Sequence, residues 1–561
     1  MVSENNCLSF DNFVKTLVEE AEQALKDPYV FKNQIENIAV IGAGPCGLVS
    51  AKHLADAGLK VKVFERNSTV GGVWVYSDRA RPKPKMPSNR VTREIDPEAL
   101  GLKAGERQKR TYELTPEMNN FLLKKCPPSA CYRDLHNNIA TKLFALDYHP
   151  FPEGTPLWCP HETTLNYFES YADKFGLKEL IEFNTNVDLV TKKKDTETGC
   201  DKWEVTLCKY IVDSENGKIE IIRWKESFDA IVAASGVYQD PYIPDFKDFN
   251  AYNKLFPSRV SHSVQYRQPE VYKNKVNHLG GSISAVDIVR ALDGFANSIS
   301  MSIRGPLVTA IPIINLVRSK IPACVNIKPS IAAFANLNDE VDGSIQFVDG
   351  TSLSDIDYVI FCTGYINRLS YFANHIMEVQ STETTGQLFL SDTVSSKEVP
   401  ESHIVMGPKC PLNTYRDVFL IDDPTVAFVG MTAFFSTIWH YDAQALAVAR
   451  VWGGQALLPS YSLMQKFTAE ADFTPATDSN GWNDGDRRRR ETFVTWLNHH
   501  AVNQIKSKGT KCQPLPIVNN YPENYELLGK ETAQLWLTVS EENLQKSKDK
   551  IRQEGGETFK H

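Results

Sequence analysis

Four consecutive apolar residues, Ile38-Ala39-Val40-Ile41, predict a strand buried on both faces, and the glycine-rich run Gly42-Ala43-Gly44-Pro45-Cys46-Gly47 carries it into a helix over residues 48–57. A second strand, Val61-Lys62-Val63-Phe64, follows and ends at Glu65. The same order recurs from Val276: Gly280-Gly281-Ser282-Ile283-Ser284-Ala285, a helix over residues 286–292, then the strand Ile299-Ser300-Met301-Ser302-Ile303 closed by Arg304. Two further runs, Phe228 through Ser235-Gly236 and Asp357 through Thr363-Gly364-Tyr365, echo each other as buried strands entering tight turns. Phe13, Leu17, Val18, Ala21 and Leu25 make residues 10–26 an amphipathic helix packed on the domain surface. Residues 77–131, rich in Pro, Arg and Lys without a sustained period, read as a long irregular excursion, either a lid, an interface or decoration. Strands resume over residues 181–190 and 203–207, Val429-Gly430 precedes an apolar helix over residues 444–452, and the last ninety or so residues read as helical and polar.

A length of 561 residues predicts two or more domains. The net charge of −8 argues against nucleic acid as the main partner. Eleven scattered cysteines, an odd number, suggest reduced thiols in an intracellular protein. No basic-then-apolar leader and no apolar stretch of membrane-spanning length stand out, and Glu19, Glu20 and Glu22 have the wrong sign for a transit peptide. The expectation is a soluble, cytoplasmic protein without an integral membrane span. The run Arg487-Arg488-Arg489-Arg490, before Phe493, Val494, Trp496 and Leu497 at helical spacing, reads as a solvated helix face.

The glycines have separable physical roles. Gly42 allows the tight turn, Gly44 lets backbone approach a pyrophosphate, and Gly47 lets helix and strand pack closely. The helix N-terminus then offers free N–H groups and partial positive charge. Glu65, about 20 residues on, is placed to bond a ribose hydroxyl. Arg304 stands where the first unit carries Glu65, which suits the 2′-phosphate of NADPH. Ser282 replaces the middle glycine and Asn277-His278 are poor strand-core residues, so a degenerate, non-binding repeat stays open for the second unit. The expected fold is α/β, with two nested Rossmann-like dinucleotide-binding domains and a helical C-terminal extension. The expected divisions are an N-terminal helical extension (1–34), a first dinucleotide-binding domain in two parts (35–244, with the irregular insertion 77–131, and 366–470), a second dinucleotide-binding domain between them (245–365) and the extension (471–561).

At this point the chain resembles the class B flavin-containing monooxygenases, most closely their fungal branch, over residues 38–452. Besides the two glycine loops it has Gly71-Gly72-Val73-Trp74. The family fingerprint FxGxxxHxxxY/F stands here as Phe256 through Tyr266, with His262 in place and Ser258 on its glycine. Tyr132-Arg133-Asp134-Leu135-His136-Asn137-Asn138 resembles YxxLxTN, with Asn137 in place of threonine and Asn138 on the active-site asparagine. Phe361-Cys362-Thr363-Gly364-Tyr365 matches the aromatic-x-TGY closure. By themselves Phe256, Tyr266 and His262 read equally as core residues; the resemblance implies that they link the two domains. It also implies FAD and NADPH as cofactors and no metal. Cofactor contacts are expected at Gly42, Gly44, Pro45, Cys46, Gly47, Glu65, Gly72, Val73, Trp74, Asn137, Asn138, Gly280, Ser282, Ser284, Ala285, Arg304 and Gln444, and the catalytic amide at Asn138.

The implied activity is of the N,N-dimethylaniline type. NADPH reduces FAD, NADP⁺ stays bound, O2 adds to the reduced ring as a hydroperoxide, and an amine nitrogen or thioether sulfur takes up its distal oxygen. The protein's task is then to orient cofactors and exclude water. Three rivals remain: a Baeyer–Villiger oxidation of a ketone, a disulfide reductase using Cys126 and Cys131, and a flavin-binding pseudoenzyme. A homodimer is possible from the resemblance alone.

Overall fold

The computed structural model describes residues 19–20, 22–88, 101–103, 105–195, 199–281, 283–308, 315, 317–381, 388–390, 402–407, 410–432, 438–470, 493, 495–498, 541–546 and 548–549. The apolar run becomes β1 (Asn37–Ile41), which leads through the glycine loop into α1 (Pro45–Asp56) and then β2 (Lys60–Phe64). β1 runs parallel to β2 on one side and to β3 (Ala230–Ala233) on the other, with Val40 opposite Val63 and Val232. Beyond β3 the sheet continues through Val426–Phe428, Phe419–Leu420 and Thr414–Tyr415; beyond β2 it ends on Ile181–Glu182. Ile38, Ala39 and Val40 are fully buried because both faces of the sheet are covered, which is why β1 reads as a continuous apolar run.

A second parallel sheet carries the other glycine loop. β4 (Val276–Gly280) leads into α2 (Ile283–Leu292) and β5 (Ser298–Ser302), and β6 (Tyr358–Phe361) lies on its other side. Val260–His262 and Asn326–Lys328 form the two edges. Asn277 and His278, unpromising as strand-core residues, are fully buried in β4. The His278 ring lies between two hydroxyls of the neighbouring strand, with Nδ1 2.8 Å from Ser300 Oγ and Nε2 3.1 Å from Ser302 Oγ. The polarity of His278 is satisfied across strands, so it does not exclude burial, whereas Asn277 donates from Nδ2 to Lys275 O at 2.9 Å and its Oδ1 has no partner among the described residues. α3 (Ile438–Trp452) packs beside α1, where His53 Nε2 and Asp442 Oδ1 meet at 2.7 Å.

The expectation of an irregular excursion over residues 77–131 is corrected by regular structure at its end: a strand, Gln108–Glu113, and a helix, Pro116–Lys125, which Thr115 caps by accepting from Met118 N at 3.2 Å. The strand's own residues, Gln-Lys-Arg-Thr-Tyr-Glu, carry almost no apolar signal. Its ladder is supplied by Lys218–Phe228, third strand of a long antiparallel meander with Thr185–Lys194 and Asp201–Asp213. The 218–228 strand and the helix His161–Lys174 add elements that the sequence reading does not include.

Part of the N-terminal helix expected over residues 10–26 lies outside the described residues. In the described part, Ala24 and Glu20 are buried while Leu25 is 37% exposed, so its inward face is shifted from the apolar count. The reason is an ion pair: Arg416 Nη2 meets Glu20 Oε2 at 2.6 Å against the edge of the first sheet. Of the C-terminal extension, Phe493, Trp496 and Leu497 sit in the first unit's core; the four-arginine run lies outside the described residues. No described helix is long and apolar enough to cross a membrane.

Candidate functional site

The first glycine loop is shaped by backbone contact. A Cβ at Gly47 would lie 1.8 Å from Gly42 O, and one at Gly72 would lie 2.9 Å from Gly44 Cα. Gly44 is the N-cap of α1, makes no side-chain cap bond, and is followed by Pro45 at the first helical position. The helix therefore presents its first N–H groups without a capping side chain, the arrangement that receives a phosphate. Cys46 faces Gly430, where a Cβ would come within 2.2 Å of its Sγ; burial pushes its thiol up to about 12, so it serves as a packing group.

Glu65 is buried at the end of β2, and Oε2 accepts from Ala43 N at 2.7 Å. Its Oε1 accepts from Asn67 N and Nδ2, both at 2.9 Å. The carboxylate thus fixes the glycine loop directly, beyond the ribose contact expected of it, and each oxygen keeps acceptor capacity. Val73 and Trp74, half-buried in the 3₁₀ turn Gly72–Trp74, adjoin Gly44; Ser129 donates to Val73 O at 3.1 Å and Val75 O at 2.6 Å. Trp74 packs edge-on to Phe144 at 6.0 Å. Gln444, fully buried on α3, accepts from Gly430 N at 2.9 Å through Oε1, while Nε2 has no partner among the described residues.

In the second unit Gly280 closes β4, Ser284 is half-buried and Ala285 buried on α2, and Arg304 is exposed just past β5. Ser282 lies outside the described residues. The close approach falls to Gly281, where a Cβ would sit 2.1 Å from Ser302 O. The fingerprint is internal: His262, fully buried, donates from Nε2 to Gly364 O at 3.1 Å and accepts at Nδ1 from Val264 N at 3.1 Å. Desolvation lowers it to about 3, so it is neutral and structural. Tyr266 is buried; Phe256 is half-buried under the Arg259 guanidinium at 4.4 Å. Ser258 is exposed in the turn, so a side chain there meets no packing constraint.

The segment from Tyr132 to Asn138 separates two adjacent asparagines. Asn137 is buried: its Nδ2 donates to Ile139 O at 2.7 Å and Leu157 O at 3.3 Å, and its Oδ1 accepts from Cys159 N at 2.6 Å. Its side-chain amide is spent inside the loop. Asn138 is exposed at the bend, with an amide that makes no hydrogen bond among the described residues.

These residues fit a flavin dinucleotide in the first unit. The Gly44–Gly72 contact leaves a floor that any Cβ would fill, α1 is uncapped, and Gln444 keeps a buried N–H pair without an acceptor. Cys126 and Cys131 are both free thiols, pushed up to about 12 by burial, and Cys126 packs in the cluster under the antiparallel sheet. Sequence reading missed the ties that hold the loop from the other side, Tyr132 to Asp287 and Arg267 to five carbonyls, among them Arg79 O and Ser129 O. Tyr132 opens the Tyr132–Asn138 motif, but nothing local indicates its partner.

A family model described as flavin-binding monooxygenase-like matches residues 127–310, and an NAD(P)-binding Rossmann-like domain matches residues 40–92. Flavin-containing monooxygenase ustF2 of Aspergillus flavus is 29% identical over 457 residues, covering 77% of this chain and 85% of that protein. Flavin-containing monooxygenase iboF of Amanita muscaria is 27% identical over 505 residues, covering 85% and 90%. Among solved structures, S-allyl-L-cysteine S-oxygenase from Allium sativum superposes with a TM-score of 0.54 at 21% identity, covering 89% of this chain and 98% of that one.

Proposed function

We propose that the chain is a flavin-containing monooxygenase that uses FAD, NADPH and O2 to oxygenate a nitrogen or sulfur atom of a small molecule, a reading supported by its similarity to that family. FAD, when bound, supplies hydride acceptance from NADPH and the activation of O2. The chain's part is binding and orientation. The uncapped start of α1 and the Gly44–Gly72 floor would take the pyrophosphate, Glu65 the ribose, and Gln444 Nε2 an acceptor on the cofactor. Gly280, Gly281, Ser284 and Ala285 would take the second dinucleotide, with Arg304 on its 2′-phosphate. An amine or thioether brings its own lone pair, so no side chain has to remove a proton before oxygen transfer.

The observation that carries the reading is Asn138: an exposed, uncommitted amide on a loop held between the two dinucleotide units. In the protein it would donate to oxygen and hold it away from water. The test is NADPH consumption over a panel of amines, thioethers and ketones, with hydrogen peroxide measured alongside. Substrate-stimulated consumption with N- or S-oxide formed is the expected result. Oxidation of ketones alone, or failure of NADPH to bleach the bound flavin, overturns it.

A further inference from the structure

The loop that carries Asn138 is anchored at its two ends by different dinucleotide units. At Asn137 it is fixed to the segment around residues 157–159 by three hydrogen bonds: Asn137 N to Cys159 O at 3.1 Å, Asn137 Nδ2 to Leu157 O at 3.3 Å, and Cys159 N to Asn137 Oδ1 at 2.6 Å. Five residues earlier it is fixed to the second unit. The Tyr132 hydroxyl donates to Asp287 Oδ2 at 2.7 Å, and its ring lies edge-on to Tyr266 at 5.6 Å. Arg133 adds a backbone bond to Arg267 O at 3.0 Å and an ion pair to Glu270 Oε1 at 2.8 Å. Asp287 sits on α2, one turn past Ile283, where the helix leaves its glycine loop. Asp287 therefore lies about one helical turn from the glycine loop, which ties the Tyr132 contact to the end of α2 that faces that loop. Burial raises the Asp287 carboxyl above its ordinary value, and the Tyr132 O–H offsets part of that penalty, so breaking the bond leaves a poorly solvated acceptor.

We propose that Tyr132 and Asp287 are positioning residues that couple the placement of Asn138 to occupancy of the second dinucleotide unit. The inference rests on the reading of Asn138 given above. With NADP(H) seated, α2 holds Tyr132 and the loop presents the Asn138 amide. With the unit empty, the Tyr132–Asp287 tie no longer fixes the loop's first turn, Asn137 and Arg133 hold the rest, and the Asn138 amide is less well placed, so that more of the oxygen consumed is released as hydrogen peroxide.

The test compares Tyr132→Phe, which keeps the ring against Tyr266 and removes only the hydroxyl, with Asp287→Leu and with Asp287→Asn, which keeps an acceptor oxygen. Two quantities are read on the FAD-loaded enzyme: the anaerobic rate of flavin bleaching by NADPH, and the ratio of peroxide to oxygenated product with a thioether. Losing one charge-assisted hydrogen bond corresponds to roughly tenfold or more. Tyr132→Phe and Asp287→Leu should therefore raise the peroxide ratio on the order of tenfold, with bleaching little changed and no further rise in the double variant. Asp287→Asn should stay close to the parent. A Tyr132→Phe variant as well coupled as the parent overturns the inference, and so does equal peroxide release from Asp287→Asn and Asp287→Leu. The second comparison decides the matter if Tyr132→Phe also loses flavin. Asn138→Ala, measured alongside, separates the two claims: if it releases no added peroxide, the reading of Asn138 has failed, whatever Tyr132 does.

Discussion

Asn137 and Asn138 are chemically identical neighbours, and the structure assigns them opposite phenotypes. Replacing Asn137 by alanine removes the acceptor of Cys159 N, a buried donor, and two N–H···O bonds to Ile139 O and Leu157 O. An orphaned buried donor costs about 1–3 kcal/mol and the lost neutral bonds about 0.5–1.5 kcal/mol, so Asn137→Ala should destabilise by about 2–4 kcal/mol. Asn138 is exposed and makes no such bonds among the described residues, so Asn138→Ala should stay within about 0.5 kcal/mol. Urea denaturation at fixed, saturating FAD reads the first quantity, since free cofactor would otherwise shift the midpoint. With m of about 3 kcal/mol/M, Asn137→Ala should move that midpoint by roughly 1 M. Peroxide released per NADPH reads the second, and there Asn138→Ala should be the more damaging substitution per unit of stability lost. If Asn138→Ala lowers the midpoint as far as Asn137→Ala, or if Asn137→Ala leaves it unmoved, the division of roles is wrong.

Gly72→Ala should yield protein that purifies with little flavin, because φ at Gly72 is +58° and the new Cβ would lie 2.9 Å from Gly44 Cα; the 450 nm absorbance per chain checks it. Arg304→Ala should raise KM for NADPH by roughly tenfold while leaving NADH use unchanged, because only NADPH carries the 2′-phosphate; steady-state kinetics with both cofactors decide it. Burial holds His262 and His278 neutral, each lowered to about 3 from the ordinary 6.5. Below pH ~6.5 the unfolded chain takes up protons that the folded one refuses. Stability should therefore fall as the pH drops from there toward 3, by up to about 1.4 kcal/mol per pH unit for each histidine. Denaturation midpoints at pH 7, 6 and 5 measure the slope, and His278→Gln should lessen it.

The strand–glycine–helix unit was legible because its determinants are local. β1 is apolar at every turn of the pleat since both faces are covered, and Gly47 is required by Gly42, five residues away. Glu65 was legible by spacing, although the bond it makes to Ala43 N was not. The strand Gln108–Glu113 was hidden because its hydrogen bonds come from residues 218–223, more than a hundred positions on, and its own side chains carry no period. His278 read as a flaw in β4 until Ser300 and Ser302 were placed beside it by strand pairing. Composition and periodicity thus determined where the two nucleotide folds begin and which glycines close them. Only the tertiary structure decided which of two adjacent amides is spent and which is free, because that depends on Leu157 and Cys159 being folded back beside Asn137 from about twenty residues further on. A side chain's partners are set by what packs beside it in space, and linear order does not encode that directly.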